Sequence, residues 1–195
     1  MQLLILVIAY MLGNFSASYI IGKLSANIDI RNYGSGNAGT TNVMRTLGYK
    51  AAVFTLLADC LKGVLAVYIA RRLGSENLAM MAGVAVVLGH NWPILLGFKG
   101  GKGIATTIGV ALSIHFTIAL VCVVIGIIIL ILSKYVSLGA IVAITLFPIL
   151  LVSQGWNYFV FGLMLCVLAI YKHRENIQRL RQGTERKITE KLKVK

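Results

Sequence analysis

Three short polar stretches carry the side chains in this sequence that could do chemistry. The first, RNYGSGNAGTTNVMR, runs from Arg31 to Arg45 and holds three glycines, three asparagines, one serine, two threonines and two arginines. Gly34, Gly36 and Gly39 free the backbone to turn sharply and aim N–H groups at an anion. A short helix is expected from about Asn37, its N-terminus pointing back at the glycine turn as an anion site. Thr41 and Arg45 are four residues apart, so both could face one ligand, and Asn42 joins them as a candidate phosphate-binding residue. The second stretch, GHNWPILLGFKGGKGIAT, runs from Gly89 to Thr106. Its Lys99, Gly100, Gly101, Lys102 and Gly103 place two cations and three glycines just before an apolar helix, again N–H groups with charge beside them. The third, YKHREN, spans Tyr171 to Asn176. There His173 and Asn176, three apart, share a helical face. Each stretch also has an ordinary reading: a flexible polar loop, a glycine turn with topology-setting lysines, and a surface histidine at a membrane edge.

Two familiar phosphate motifs are weakly supported. GSGNAG matches GxGxxG, and Asp59 lies 20 residues beyond Gly39. That dinucleotide fingerprint requires a preceding strand and a soluble βαβ unit, and this chain offers apolar helices instead. The lysine loop is not a Walker loop. Counting back from Lys102, the earlier glycine falls at Leu96, and Gly103 replaces the required Ser or Thr. ATP hydrolysis is therefore poorly supported.

The elements that position these stretches are membrane helices. The 195 residues are 58% hydrophobic and 13% charged, well outside the usual globular balance. Apolar tracts cover about 3–22, 51–70, 78–97, 104–132, 136–153 and 156–171. The fourth would make a helix of about 43 Å against a hydrocarbon core of about 30 Å. Ser113 and His115 interrupt it, so it is split there, giving seven spans. Charge supports the split. With seven spans the basic loops 23–50 and 98–103, Lys134 and the tail 172–195 share one face, which the positive-inside rule makes cytoplasmic, with the N-terminus outside. Arg71 and Arg72 disagree, since their loop falls on the other face and Glu76 offsets only one of them. The net charge of +13, with nine of the nineteen Lys and Arg residues after Ile170, then reflects topology and anionic lipid rather than nucleic acid.

The expected fold is an all-α polytopic membrane protein forming one domain over 1–195. The N-terminal LLILVIAYMLG is its first span rather than a signal peptide, because the first charged side chain is Lys23. Cys60, Cys122 and Cys166 all lie in apolar runs and are expected to be buried free thiols. Asp59 and Lys62, inside the second span, are costly unless paired. Their i,i+3 spacing predicts an ion pair supporting the site. His90 is expected to be a hydrogen-bonded helix end.

Taken together, GSGNAGTTNVMR, GHNWP with FKGGKGIAT, and YKHREN closely resemble the acyl-phosphate-dependent glycerol-3-phosphate acyltransferase family of bacterial phospholipid synthesis. The match of order, spacing and apolar segments covers nearly the whole chain. Ile104 stands where valine is common, and the tail after Ile188 looks like a short extension. The resemblance implies a multi-pass protein of the bacterial inner membrane with its active site at the cytoplasmic face. It implies transfer of a fatty acyl group from acyl phosphate to the 1-hydroxyl of sn-glycerol 3-phosphate, giving lysophosphatidic acid and phosphate, without cofactor or metal. The implied site residues are Ser35 and Arg45, the second-stretch glycines with Lys102, and His173 with Asn176. His173 could act as a general base, or a substrate phosphate oxygen could take the proton. Membrane lipid and the two substrates are the expected partners, with no nucleic acid and no obligate protein partner evident. The competing class is a transporter or exchanger of a phosphorylated metabolite, which would favour internal repeats and polar residues near mid-membrane; no repeat is found, and the three polar clusters sit at one face.

Overall fold

The structure, a computed structural model, describes residues 1–190. The last five residues of the expected basic tail, 191–195, lie outside the described residues. Helices dominate, and no strand occurs among the described residues. They gather into two compact units, Met1–Val110 and Ala111–Glu190.

The first unit contains α1 (Gln2–Asn14), α2 (Ala17–Ala26), α3 (Thr40–Leu47), α4 (Tyr49–Leu73) and α5 (Glu76–Asn91). α5 packs against α1 and α4, and α3 packs against α4. The α1–α5 contact is close because glycine meets glycine. A Cβ on Gly13 would run into the Val86 carbonyl, and one on Gly89 into that of Tyr10. In lipid, where apolar burial gives little drive between helices, such small-residue contacts let backbones pack directly. α6 (Ile104–Ile114) begins in this unit. It lies against α4 in the same way, with Gly63 against Thr106 and Gly109 against Cys60.

The second unit holds α7 (Phe116–Ser133), α8 (Val136–Leu151), α9 (Trp156–Lys172) and α10 (Arg174–Arg181). α8 packs against both α7 and α9. α7 leaves Leu120, Val124, Ile127, Ile128 and Ile131 exposed, a stripe suited to lipid. The segment after α10 folds back, with Ile188 N–H donating to the Lys134 carbonyl at 2.8 Å.

Among the described residues, five stretches are long and apolar enough to cross a membrane: Gln2–Ala26, Tyr49–Leu73, Glu76–Leu96, Phe116–Ser133 and Val136–Gln154. α9 and α10, bent by 62° from one another, count as a sixth if taken together. The long fourth tract does divide at its polar break. His115 is non-helical, and its Nδ1 accepts from Ile118 N–H at 3.4 Å to cap α7. α6 is the short remainder, 11 residues, about 16 Å long. The first span is also broken, at Phe15–Ser16.

Candidate active site

The first polar stretch lies between α2 and α3. Asp29 starts it by accepting the Arg31 N–H at 3.0 Å, which fixes a helical turn over Ile30–Asn32. The Arg31 guanidinium then grips the Asp29 carboxylate, with Nε to Oδ1 at 3.0 Å and Nη2 to Oδ2 at 2.7 Å. Its Nη1 donates to the Leu96 carbonyl at 2.8 Å. The same group lies 5.4 Å from the centre of the Tyr19 ring. The hydrogen bonds from Arg31 hold the Asp29 carboxyl below the usual carboxylate range, outweighing the upward push of burial. Arg31 is raised in turn by Asp29.

Gly34 and Gly36 take left-handed conformations, φ 63° and 71°, which favour glycine. Asn42, at 1% exposure, shapes the loop they form. Its Oδ1 accepts the Ser35 N–H at 2.9 Å, and its Nδ2 donates to the Ile30 and Tyr33 carbonyls at 3.0 Å each. Sequence reading placed Asn42 among the phosphate-binding residues; in the structure its amide is occupied in forming the loop. α3 starts at Thr40, capped by Gly39, a few residues later than Asn37. Thr41 and Arg45 lie on it, both half-buried, while Ser35 is exposed.

The second polar stretch leaves α5 through Trp92 and a short turn at Ile94–Leu96. Its glycines are there chiefly because the chain passes so close to the end of α5. A Cβ on Gly100 would strike the His90 carbonyl, and one on Gly101 would strike the His90 ring. The Gly101 N–H donates to the His90 carbonyl at 3.2 Å, so it is not aimed at an anion. Lys99 is exposed and Lys102 half-buried. The two stretches meet within this unit. An open cleft of about 490 Å³ has Asp29, Arg31, Asn32 and Gly36 on one side, and Leu96, Gly97 and Lys99 on the other.

Below the loops, Asp59 and Lys62 form an ion pair at 2.8 Å, 1% and 3% exposed. Lys62 Nζ also donates to the Gly13 and Phe15 carbonyls at 3.2 and 2.8 Å, where α1 breaks into α2. It lies 2.7 Å from His90 Nδ1.

His173 and Asn176 belong to the second unit. His173, 4% exposed, sits at the bend between α9 and α10. Its Nδ1 lies 2.8 Å from the Ala169 carbonyl. A carbonyl only accepts, so Nδ1 carries hydrogen and Nε2 is the basic nitrogen of the neutral ring. Asn176 Nδ2 donates to Glu185 Oε1 at 2.6 Å. Glu185 also accepts from Ser137 and Arg179, each at 2.7 Å. Burial alone would push the Glu185 carboxyl up; the bonds from Asn176, Ser137 and Arg179 outweigh it and hold the group low.

Sequence reading missed Asp29, Arg31 and Glu185. Opposite charges two residues apart just before the glycines, and one of the three acids in a basic tail, were the available signals.

The chain matches known proteins over nearly its whole length. A family model described as glycerol-3-phosphate acyltransferase matches residues 3–183. The glycerol-3-phosphate acyltransferase of Alkaliphilus metalliredigens is 60% identical over 193 residues, 99% of each chain. That of Clostridioides difficile is 48% identical over 196 residues, 97% of this chain and 96% of its own. Among solved structures, PlsY (YgiH) in its glycerol 3-phosphate form, an integral membrane glycerol 3-phosphate acyltransferase, superposes with a TM-score of 0.90 at 38% identity, covering 95% and 94% of the two chains. The same protein in its lysophosphatidic acid form gives 0.89. Fold and polar loops thus define an acyltransferase of the membrane. The chain belongs to the glycerol-3-phosphate acyltransferase family.

Proposed function

We propose that this enzyme transfers a fatty acyl group from acyl phosphate to the 1-hydroxyl of sn-glycerol 3-phosphate, releasing lysophosphatidic acid and inorganic phosphate. The observation that carries the reading is the meeting of the two glycine-rich stretches around the cleft lined by Gly36 and Lys99. Both substrates bring a phosphate. Two dianions about 6 Å apart repel by roughly 11 kcal/mol at an effective dielectric of 20. Cations and oriented N–H groups must offset that repulsion. Arg45, Lys99 and Lys102 supply the charge, Gly34, Gly36, Asn37, Gly39, Thr41 and Gly100 the surrounding loop surface, and the buried Gly101 and Gly103 let the second loop pass close to α5. Asn42 holds the first loop in shape for Ser35.

In the reaction the acceptor hydroxyl oxygen attacks the acyl carbonyl carbon. The carbon–oxygen bond to phosphate breaks, and phosphate leaves with the bonding pair. The donor is already activated, so positioning and charge stabilisation carry most of the work. The hydroxyl proton goes either to His173 Nε2 or to a phosphate oxygen, and the pH profile separates the two. Asn176, held by Glu185, is the proposed partner of His173. Asp59 and Lys62 support the first loops from within the membrane. No cofactor, metal or second protein enters the scheme.

For topology, seven passages through the bacterial inner membrane are proposed, α6 being a short one, with the N-terminus outside and the whole chain, 1–195, acting as one domain. Two contacts support a shared basic face within each unit: Arg31 to Leu96 in the first and Ile188 to Lys134 in the second. A cysteine placed at Gln182 should resist impermeant labelling in intact cells; ready external labelling removes this topology.

The donor is tested by offering acyl phosphate, acyl-CoA and acyl carrier protein in turn with labelled glycerol 3-phosphate. Labelled lysophosphatidic acid from acyl phosphate alone is the expected result. Equal use of a thioester would overturn it.

A further inference from the structure

We propose that His90 is a positioning residue: it ties the buried Asp59–Lys62 pair to both glycine-rich loops and so sets the loops' spacing for glycerol 3-phosphate. The proposal rests on the reading that these loops hold phosphate.

The ring is locked from one side by charge. Lys62 Nζ lies 2.7 Å from His90 Nδ1 and Asp59 Oδ1 lies 3.6 Å from it, so this edge of the ring faces the buried ion pair. Nε2 lies on the opposite edge. Lys62 is itself fixed by Asp59 and by the Gly13 and Phe15 carbonyls. The ring therefore inherits its position from three helices, α1, α4 and α5, and at 5% exposure it has little room to move.

The other edge meets the loops. A Cβ added at Gly101 would run into Nε2, would come 2.9 Å from Cε1, and would come 2.6 Å from the Ala38 carbonyl. The ring edge of His90, Gly101 of the second loop and Ala38 of the first thus converge on one point. The His90 main chain adds a second grip by accepting the Gly101 N–H at 3.2 Å. Lys99 and Lys102 flank Gly101 within two residues, so displacing the ring displaces the cations that the phosphate reading requires.

This geometry calls for histidine. A short rigid ring reaches the ion pair with one edge and the loops with the other. Asparagine reaches about as far as Nδ1, and glutamine about as far as Nε2; neither spans both.

The test measures glycerol 3-phosphate binding calorimetrically in the full-length, detergent-purified protein without acyl donor, followed by steady-state kinetics and amide hydrogen exchange. His90→Asn and His90→Gln should each weaken binding roughly tenfold and raise KM in parallel, a modest share of the hundredfold that a misplacement of about 1 Å can cost. The change in kcat should be smaller. Exchange should rise in residues 34–39 and 98–103 but not within α4 and α5. Arg45→Ala and Lys102→Ala are the controls. If the controls lose binding while both His90 variants bind as the parent protein does, the tether is wrong. If the controls bind normally, the phosphate-loop reading fails and the proposed role of His90 falls with it. A rise in exchange along the whole chain in both His90 variants would reduce His90 to a stability residue and overturn the proposal.

Discussion

Replacing Lys62 by methionine should be among the most damaging single changes in the first unit. Methionine keeps the length and the apolar stem, so packing changes little. What is lost is the ammonium. Asp59, 1% exposed, would keep only His90 Nδ1, 3.6 Å away, and breaking a buried pair from one side costs about 3–5 kcal/mol. The Gly13 and Phe15 carbonyls, freed by the break between α1 and α2, would lose their donor. Each orphaned acceptor costs about 1–3 kcal/mol, and no bulk water is at hand in the membrane to replace the bond. The sum, roughly 5–11 kcal/mol, is comparable with the whole stability of a typical domain, about 5–15 kcal/mol. Lys62→Met should therefore yield little folded protein. Adding Asp59→Asn removes the stranded charge and should recover about 3–5 kcal/mol. The assay is the fraction of detergent-purified protein that remains monodisperse after stepwise heating. A Lys62→Met protein as heat-resistant as the parent, or a double variant no better than the single, would refute the reasoning.

Two further outcomes follow from the same structure. His173→Ala should lower turnover by about 10²–10⁴ if the ring is the base, and should flatten the acidic limb of the pH–rate profile; His173→Gln should keep much of the activity if the ring only binds phosphate. Asp29 has a depressed pKa through Arg31, so its stabilising contribution is present above the ordinary carboxylate value of about 3.9 and is lost as pH falls through the lower folded value. Asp29→Asn should therefore lower Tm at pH 7, with the gap to the parent protein closing below about pH 4.

Legibility in the sequence depended on how local each cause was. The break at His115 could be read because two polar residues interrupt a run too long for a bilayer, and the same side chain caps α7. The Asp59–Lys62 pair could be read because three residues of helix bring its members together. The break at Phe15–Ser16 could not. It is stabilised by Lys62, 47 residues away from Phe15, and the local signal is only the short polar run of Gly13, Asn14 and Ser16. The glycines of the second stretch were recognised as special, but for a partly different reason. Their composition suggests open anion-binding amides, whereas Gly101 is glycine because the His90 ring and the Ala38 carbonyl crowd it. Asn42 shows the same limit: its type suits phosphate binding, and only the folded loop reveals that both ends of its amide are committed. Glu185 was hidden because its partners, Ser137 and Asn176, come together only once the tail folds back onto the second unit.

The central claim is a direct transfer between two phosphorylated substrates. The most direct measurement follows inorganic phosphate and lysophosphatidic acid together, in purified protein given acyl phosphate with and without glycerol 3-phosphate. The expected result is one phosphate for each lysophosphatidic acid, with almost no phosphate release when the acceptor is omitted. Phosphate release that ignores the acceptor, or lysophosphatidic acid formed without matching phosphate, would contradict the account.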